Sequence, residues 1–265
     1  MIRALWTAAS GMLAQQLNVD TISNNIANVN TTAYKKDRVE FKDLIYETLD
    51  KGSVVNGEGK PVNLQVGHGV RPAAITKSFE MGNLEQTGNP LDLAIDGEGF
   101  FAVKGPKEEE LYTRDGSFKL SVDGDEVKLV TSEGYPVLGE DDQEIVFSAN
   151  NRDITVSPEG VISVRNSDGT MEEIGKLKIV KFANPEGLEK VGSNLYRKTS
   201  ASGEPVFGED AGTIGNVVQG FLETSNVQVV EEMVKLIVAQ RAYEINSKSI
   251  QTADEMLNTV NNLRR

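Results

Sequence analysis

The chain of 265 residues contains no cysteine. Disulfides and thiolate metal sites are therefore excluded, which suits either a reducing cytoplasm or passage through an oxidising compartment without bridge formation. No uninterrupted apolar run reaches the roughly 18 residues that a helix needs to cross a bilayer, so no membrane span is expected. Histidine occurs once, as His68 between Gly67 and Gly69. With no serine or cysteine constellation to serve, a lone histidine in a glycine-flanked loop is expected to be a surface residue. No Gly-Lys-Ser/Thr sequence and no strand-Gly-x-Gly-helix context occurs, so the glycines form no phosphate cradle.

Carboxylates cluster at Asp92, Asp96 and Glu98, beside glycines, in a stretch with a passing likeness to a calcium loop or a glycosidase carboxylate pair. The EF-hand spacing is incomplete, and Leu93, Ile95, Phe100 and Phe101 fit a buried strand with its carboxylates on a turn. The residues alone thus point to no catalytic group, no cofactor and no metal, and to a protein that is not an enzyme.

What the chain does have is charge of one sign in one place. Its formal net charge is −13. Residues 1–36 carry Arg3, Lys35 and Lys36 against Asp20, a net +2, and residues 226–265 carry equal numbers of acids and bases, so the excess of −15 sits between them. Near-neutral ends can crowd together while an acidic body stays solvated, and such a body is a poor partner for nucleic acid.

Both ends carry an apolar repeat of seven. Leu5, Met12, Val19 and Ile26 are followed three residues later by Ala8, Gln15, Ile22 and Val29. At the other end Val229, Leu236, Tyr243, Ile250 and Leu257 are shadowed by Ala239, Asn246, Ala253 and Val260, with Glu232 interrupting the first step. This is the pattern of helices packed along one another. Trp6, Leu13 and Leu17, and Val234, Val238, Ile245 and Met256, lie off that seam, and a helix apolar nearly all round wants several neighbours. An intramolecular hairpin and lateral packing with further copies are both open. Arg3 ahead of a weakly apolar stretch faintly resembles a signal peptide, but the repeat runs on past Gln15 and Gln16, so the segment is expected in the mature structure. Asn18, Asn24, Asn25, Asn28 and Asn30 end the first helix near Ala27 or fix its register.

Between the ends, Phe41, Leu44, Ile45 and Leu49 have a short helical spacing, followed by a glycine-rich extended connector. Strands take over from about residue 75. Phe118, Leu120 and Val122 turn at Asp123-Gly124 and return along Val127, Leu129 and Thr131; Ile154 and Val156 turn at 158–160 and return along Ile162 and Val164; Leu177, Ile179 and Phe182 mark a further strand. The expected fold class is α+β: a discontinuous terminal α-helical coiled-coil domain and a central mainly-β domain, sandwich or barrel-like. Its parts are a helical segment at 1–35, a connector with a short helix at 36–75, the β domain at 76–210, a return connector at 211–225 and a helix at 226–265 pairing with 1–35.

Ser23-Asn24-Asn25-Ile26-Ala27-Asn28 followed by Thr31-Thr32-Ala33-Tyr34 resembles the asparagine-rich signature of bacterial flagellar rod and hook proteins, with Ser23 where alanine is common and Ala33 where glycine is frequent. The opening 1–16 looks like the distal-rod members of that axial family. So do Gly88-Asn89-Pro90-Leu91-Asp92-Leu93-Ala94-Ile95 with Gly99-Phe100-Phe101, and the tail through Ser225-Asn226-Val227, Gln240-Arg241-Ala242-Tyr243-Glu244 and Thr252-Ala253-Asp254-Glu255-Met256-Leu257. The stretch 46–70 matches least.

The resemblance implies a structural subunit that polymerises helically through its terminal helices into a hollow, torque-transmitting shaft, the distal rod, or else a sister axial protein of the proximal-rod or short hook type. Implied partners are further copies of the chain, other flagellar rod and hook proteins, the surrounding P- and L-ring proteins and the flagellar type III export apparatus, with no nucleic acid and no cofactor. The implied place is the basal-body rod crossing the periplasm, reached by export without a cleaved signal peptide. Expected at the subunit interface are Leu5, Met12, Val19, Ile22, Asn24, Asn25, Ile26, Asn28, Val229, Leu236, Tyr243, Asn246, Ile250 and Leu257. The termini are expected to be largely disordered in the monomer and to become helical between neighbours. A third class, a secreted β-domain hydrolase or lectin on a helical stalk, would demand a pocket with converging carboxylates.

Overall fold

The structure, a computed structural model, describes residues 2–50, 54–55, 58–59, 63–106, 108–123, 126–148, 152–165, 170–207 and 215–263. Contacts divide the chain into two compact units, one built from residues 1–27, 37–77 and 228–265 and the other from 28–36 and 78–227. The first contains both long helices and the second is mainly β, which makes the fold α+β.

In the first unit, α1 (Ile2–Ala27) and α2 (Val229–Leu263) pack antiparallel, with Asn25 against Glu232 and Gly11 against Asn246. Buried Glu232, Ala239 and Ala253 on α2 repeat in multiples of seven, and half-buried Leu236, Asn246 and Ile250 fall in phase with them. Small residues let the helices approach closely: a Cβ on Gly11 would lie 2.9 Å from Asn246 Nδ2. Glu232 is no flaw in the seam. It is 3% exposed, accepts from Asn25 Nδ2 at 3.2 Å and from Lys235 Nζ at 2.6 Å, and so enters the seam fully bonded.

The short helix expected around Phe41, Leu44, Ile45 and Leu49 does not form. Strand Asp37–Asp43 instead pairs antiparallel with Val70–Lys77, from Asp37↔Lys77 to Asp43↔Val70 with a bulge at Glu40/Phe41, and Tyr46–Asp50 pairs with Leu64–Gly67. A helix of two turns is marginal alone, whereas a partner strand further along the chain satisfies the backbone and offers β-branched Val39 and Ile75 a cross-strand neighbour. The residues expected as a connector at 36–75 therefore form β ribbons, apart from those outside the described residues. The paired ribbon meets α1, where Ser10 Oγ accepts the Val70 N–H at 3.4 Å.

In the second unit a six-stranded sheet runs in the order Glu189–Gly192, Leu195–Arg197, Glu110–Thr113, Phe100–Lys104, Ile179–Lys181, Val206–Phe207. Strand Phe100–Lys104 is buried on both faces, which is why it reads as an unbroken apolar run. Phe101 and Val103 join a core with Leu93, Phe118, Leu129, Ile162 and Val164, while Phe100 and Ala102 join Tyr112, Val180, Phe182 and Tyr196. Edge-to-face ring pairs at 4.8–5.8 Å connect Phe79, Phe100, Phe182 and Tyr112.

Both expected hairpins are present: Lys119–Asp123 with Glu126–Val130, and Arg152–Val156 with Val161–Arg165. Leu120 and Val122 nevertheless stand 41% and 69% exposed on the edge strand Lys119–Asp123, while the core takes Val127 and Leu129 from the strand beside it and Phe147 from the next. The expected return connector also carries strands: Asn216–Gln219 pairs with Leu93–Asp96 and Phe221–Glu223 with Leu84–Gln86, while 211–214 lies outside the described residues.

Candidate functional site

The helical unit is apolar on more than its seam. On α1, Trp6 and Leu13 are 71% and 69% exposed; on α2, Val230, Val234, Ile237, Val238 and Ile245 are between 55% and 75% exposed. A surface helix normally presents polar residues opposite its packed stripe, whereas here each helix leaves apolar side chains bare. Of the residues expected at the subunit interface, Ile22 and Asn25 are buried, and Leu5, Met12, Val19, Ile26, Asn28, Leu236, Asn246 and Ile250 are half-buried. Asn24, Val229, Tyr243 and Leu257 are exposed. Asn25 is engaged within the chain: its amide donates to Asp37 O and Glu232 Oε2, and its Oδ1 accepts the Asp37 N–H at 2.9 Å. The expected residues thus divide between the chain's own hairpin and the surface. Trp6 and Leu13 on α1 and Val234, Val238 and Ile245 on α2 form the more exposed set.

Inside the β unit, the segment after α1 and the segment before α2 are bound together. Asn226 Oδ1 accepts the Lys36 N–H at 2.8 Å, and its Nδ2 donates to Ser78 O at 2.8 Å. Ala33 adopts φ 54°, is 1% exposed and donates its N–H to Glu223 O at 2.8 Å. The left-handed backbone that glycine would favour is therefore required here, and alanine meets it with strain.

Next to it lies a cluster that the sequence reading missed. Lys35, Arg114 and Glu223 are 1%, 5% and 1% exposed. Glu223 Oε1 accepts from Lys35 Nζ at 2.6 Å and from the Gly82 N–H at 2.8 Å, while its Oε2 accepts from Arg114 Nε at 2.9 Å. Arg114 also donates to Gly97 O and Gly99 O at 2.8 Å each, and Lys35 to Glu80 O at 2.7 Å. Burial alone would raise the Glu223 carboxyl, but the Arg114 and Lys35 charges outweigh it and hold it below the ordinary value. Burial likewise pulls the Lys35 ammonium down, since one carboxylate is shared between two cations and Arg114 repels it. These three residues share no periodicity and are far apart in sequence, so no pattern in the chain marks them as a group.

The residues weighed for chemistry are occupied structurally. Asp92 accepts from Thr87 Oγ1 at 2.6 Å and Asn89 Nδ2 at 3.0 Å, closing the turn ahead of buried Leu93, Ala94 and Ile95. Glu98 hydrogen-bonds Lys181, which holds its carboxyl below the usual range. Asp96 is an exposed residue at the end of its strand. His68 is half-exposed, with Nδ1 3.1 Å from Ile45 O. Among the described residues no cluster of three or more metal-ligating side chains occurs, and no helix is long and apolar enough to cross a membrane.

Comparison with known proteins places these features in one family. Residues 5–35 match the model for flagella basal body rod protein, 94–164 that for the flagellar hook protein FlgE/F/G D1 domain, and 218–263 that for the flagellar basal body rod FlgEFG protein C-terminal region. The flagellar basal-body rod protein FlgG of Borreliella burgdorferi is 48% identical over 271 residues, covering all of both chains. That of Agrobacterium fabrum is 44% identical, covering 98% of each. The flagellar hook-basal body complex protein FlhP of Bacillus subtilis is 32% identical over the full length of both. The bare apolar faces of the helices, the matched ends and the full-length relatives agree: the chain belongs to the flagellar basal-body rod protein FlgG family and is a structural subunit of the flagellar rod.

Proposed function

We propose that the helical unit is the surface through which copies of this chain assemble, its helices forming a short antiparallel coiled coil that stacks laterally into the hollow, torque-transmitting shaft of the distal rod. The observation that carries this reading is a pair of bare apolar faces, Trp6 and Leu13 on α1 and Val234, Ile237 and Val238 on α2, each lying off the seam the chain already fills. Leaving such side chains wet forgoes about 1.5–3 kcal/mol each, which is a strong drive to acquire neighbours. Near-neutral helices pack without repulsion, and the acidic middle of the chain remains solvated. With those faces uncovered, the helices are the part of the chain that orders on assembly. Strong amide protection of 2–27 and 229–263 in dilute monomer would refute that coupling.

Other rod and hook proteins, the P- and L-ring proteins and the type III export apparatus are the further partners of this reading, with export leaving the N-terminus uncleaved. The weaker full-length match to FlhP favours a sister axial subunit as the second reading, which position and straightness in electron micrographs separate from the first.

The test is Val234→Asp with Ile237→Asp in the full chain. Both side chains are exposed in the single copy, so the β unit stays folded by tyrosine near-UV signal, while charge at a desolvated contact abolishes polymerisation. Normal rods formed by this variant would sink the assignment.

A further inference from the structure

The assembly reading names the unit that meets its neighbours but not which surfaces fit together. Two features of the helical unit match in shape, spacing and charge. The first is a groove between the N-terminal end of α1 and the C-terminal half of α2, lined by Ala4, Ile245, Ser249, Thr252, Ala253 and Met256, with Lys248 beside them. Ile245 and Met256 there are 65% and 47% exposed. The second is a row on α1, Trp6, Leu13 and Asp20, spaced seven apart and so on one helical face; all three are exposed.

Copies that point the same way along a shared axis bring a neighbour's α1 antiparallel to this α2, the sense in which the two helices already pack within the chain. In that arrangement each seven residues forward on α1 move seven residues back on α2. If the neighbour's Trp6 lies at Thr252, in the middle of the groove, its Leu13 falls at Ile245. Its Asp20 then falls at Val238, one turn from Arg241. Two bare apolar side chains meet a groove and an isoleucine that the described residues leave 65% exposed. The carboxylate meets a guanidinium that is 73% exposed and whose partner among the described residues is the surface Glu244. The intramolecular seam runs along the same helices, so the docked helix continues an interface that already exists.

We propose that the occupant of this groove is a second copy of the chain, whose Trp6 seats between α1 and α2 with Leu13 on Ile245 and Asp20 beside Arg241. The contact rests on the assembly reading above and gives it a register. It is heterologous, groove on one side and tryptophan on the other, so it propagates from copy to copy and does not stop at a pair.

The chain has a single tryptophan, so its intrinsic fluorescence reports on this residue alone. In the dilute full-length chain Trp6 is accessible to iodide. On polymerisation, followed in parallel by sedimentation and electron microscopy, its emission moves to shorter wavelength and its quenching constant falls severalfold. Asp20→Arg slows polymerisation, and adding Arg241→Asp restores it, a rescue that a general loss of helix stability does not give. Rods in which Trp6 is as quenchable as in the monomer would overturn this contact while leaving assembly through the helices standing. Rods that form equally well with the helices made polar at Val234 and Ile237 would overturn the reading beneath it. Failure of the charge swap to restore what Asp20→Arg removes would overturn the register.

Discussion

Replacing Glu223 with glutamine tests the buried charge cluster most directly, because it changes one atom and keeps the shape. The carboxylate takes three N–H donors, from Lys35, Arg114 and Gly82, and every one approaches an oxygen. An amide turns an NH2 toward one of those donors in either orientation and removes the negative charge that two buried cations share. Breaking a buried ion pair from one side costs about 3–5 kcal/mol, and this carboxylate serves two partners at 1% exposure, so the upper half of that range is expected. With a urea dependence of roughly 1–3 kcal/mol per molar, the β unit's midpoint falls by about 1–5 M at unchanged slope. Tyrosine near-UV circular dichroism follows mainly this unit, which holds four of the six tyrosines, Tyr34, Tyr112, Tyr135 and Tyr196, while Trp6 fluorescence follows the helices. Adding Lys35→Met removes one orphaned cation and recovers part of the loss. A single-variant cost below about 1 kcal/mol, or a double variant no more stable than the single, refutes the view that Glu223 holds the two cations in place.

Acid provides a reagent-free version of the same experiment. Glu223 titrates lower in the folded chain than in the unfolded one, so its contribution is complete above the ordinary glutamate value of about 4.3. It is lost as pH falls through the lower folded value, where the unfolded chain binds more protons; midpoints from urea titrations between pH 6 and pH 3 measure it, and Glu223→Gln flattens the profile. At Ala33, glycine relieves about 1–2 kcal/mol of left-handed strain but forfeits about 0.8 kcal/mol of methyl burial and adds unfolded-chain freedom. The thermal midpoint of Ala33→Gly therefore stays close to that of the parent, whereas Ala33→Val lowers it clearly. Gly116→Ala drives a Cβ to 1.6 Å from Leu93 O and loses about 3 kcal/mol or more. Gly134→Ala, with φ +91° and open space around it, costs only about 1–2 kcal/mol of backbone strain, and comparing the two unfolding curves separates clash from strain.

Much of the fold was legible because its signals are local. The seven-residue repeat includes Ala239 and Ala253, which the structure buries on α2, while Val229, Tyr243 and Leu257 of the same repeat stand exposed, and turn chemistry at Asp123-Gly124 and at 158–160 locates both hairpins. The helix expected near Phe41 failed for a non-local reason, since the strand Val70–Lys77 that captures the segment leaves no trace in its own composition. Glu232 looked like an interruption because its partners, Asn25 from the other helix and Lys235 from the next turn, are invisible to a one-dimensional pattern. Of the interface residues chosen from the repeat, Ile22 and Asn25 are buried within the chain, and Asn24, Val229, Tyr243 and Leu257 stand exposed. Which of them the chain uses internally depends on the partner helix that α1 finds in α2.

The order of residues alone determined the α+β class, the heptad faces at the two ends and the hairpins, because periodicity and turn preference are properties of short stretches. Only the tertiary structure decided that Thr31 to Lys36 belong with the β unit, that Ala33 is held in a left-handed conformation, and that Lys35, Arg114 and Glu223 share one buried site. Charges from three distant segments can afford burial only together, and whether they meet is fixed by the path of the backbone, not by the identity of their neighbours along it.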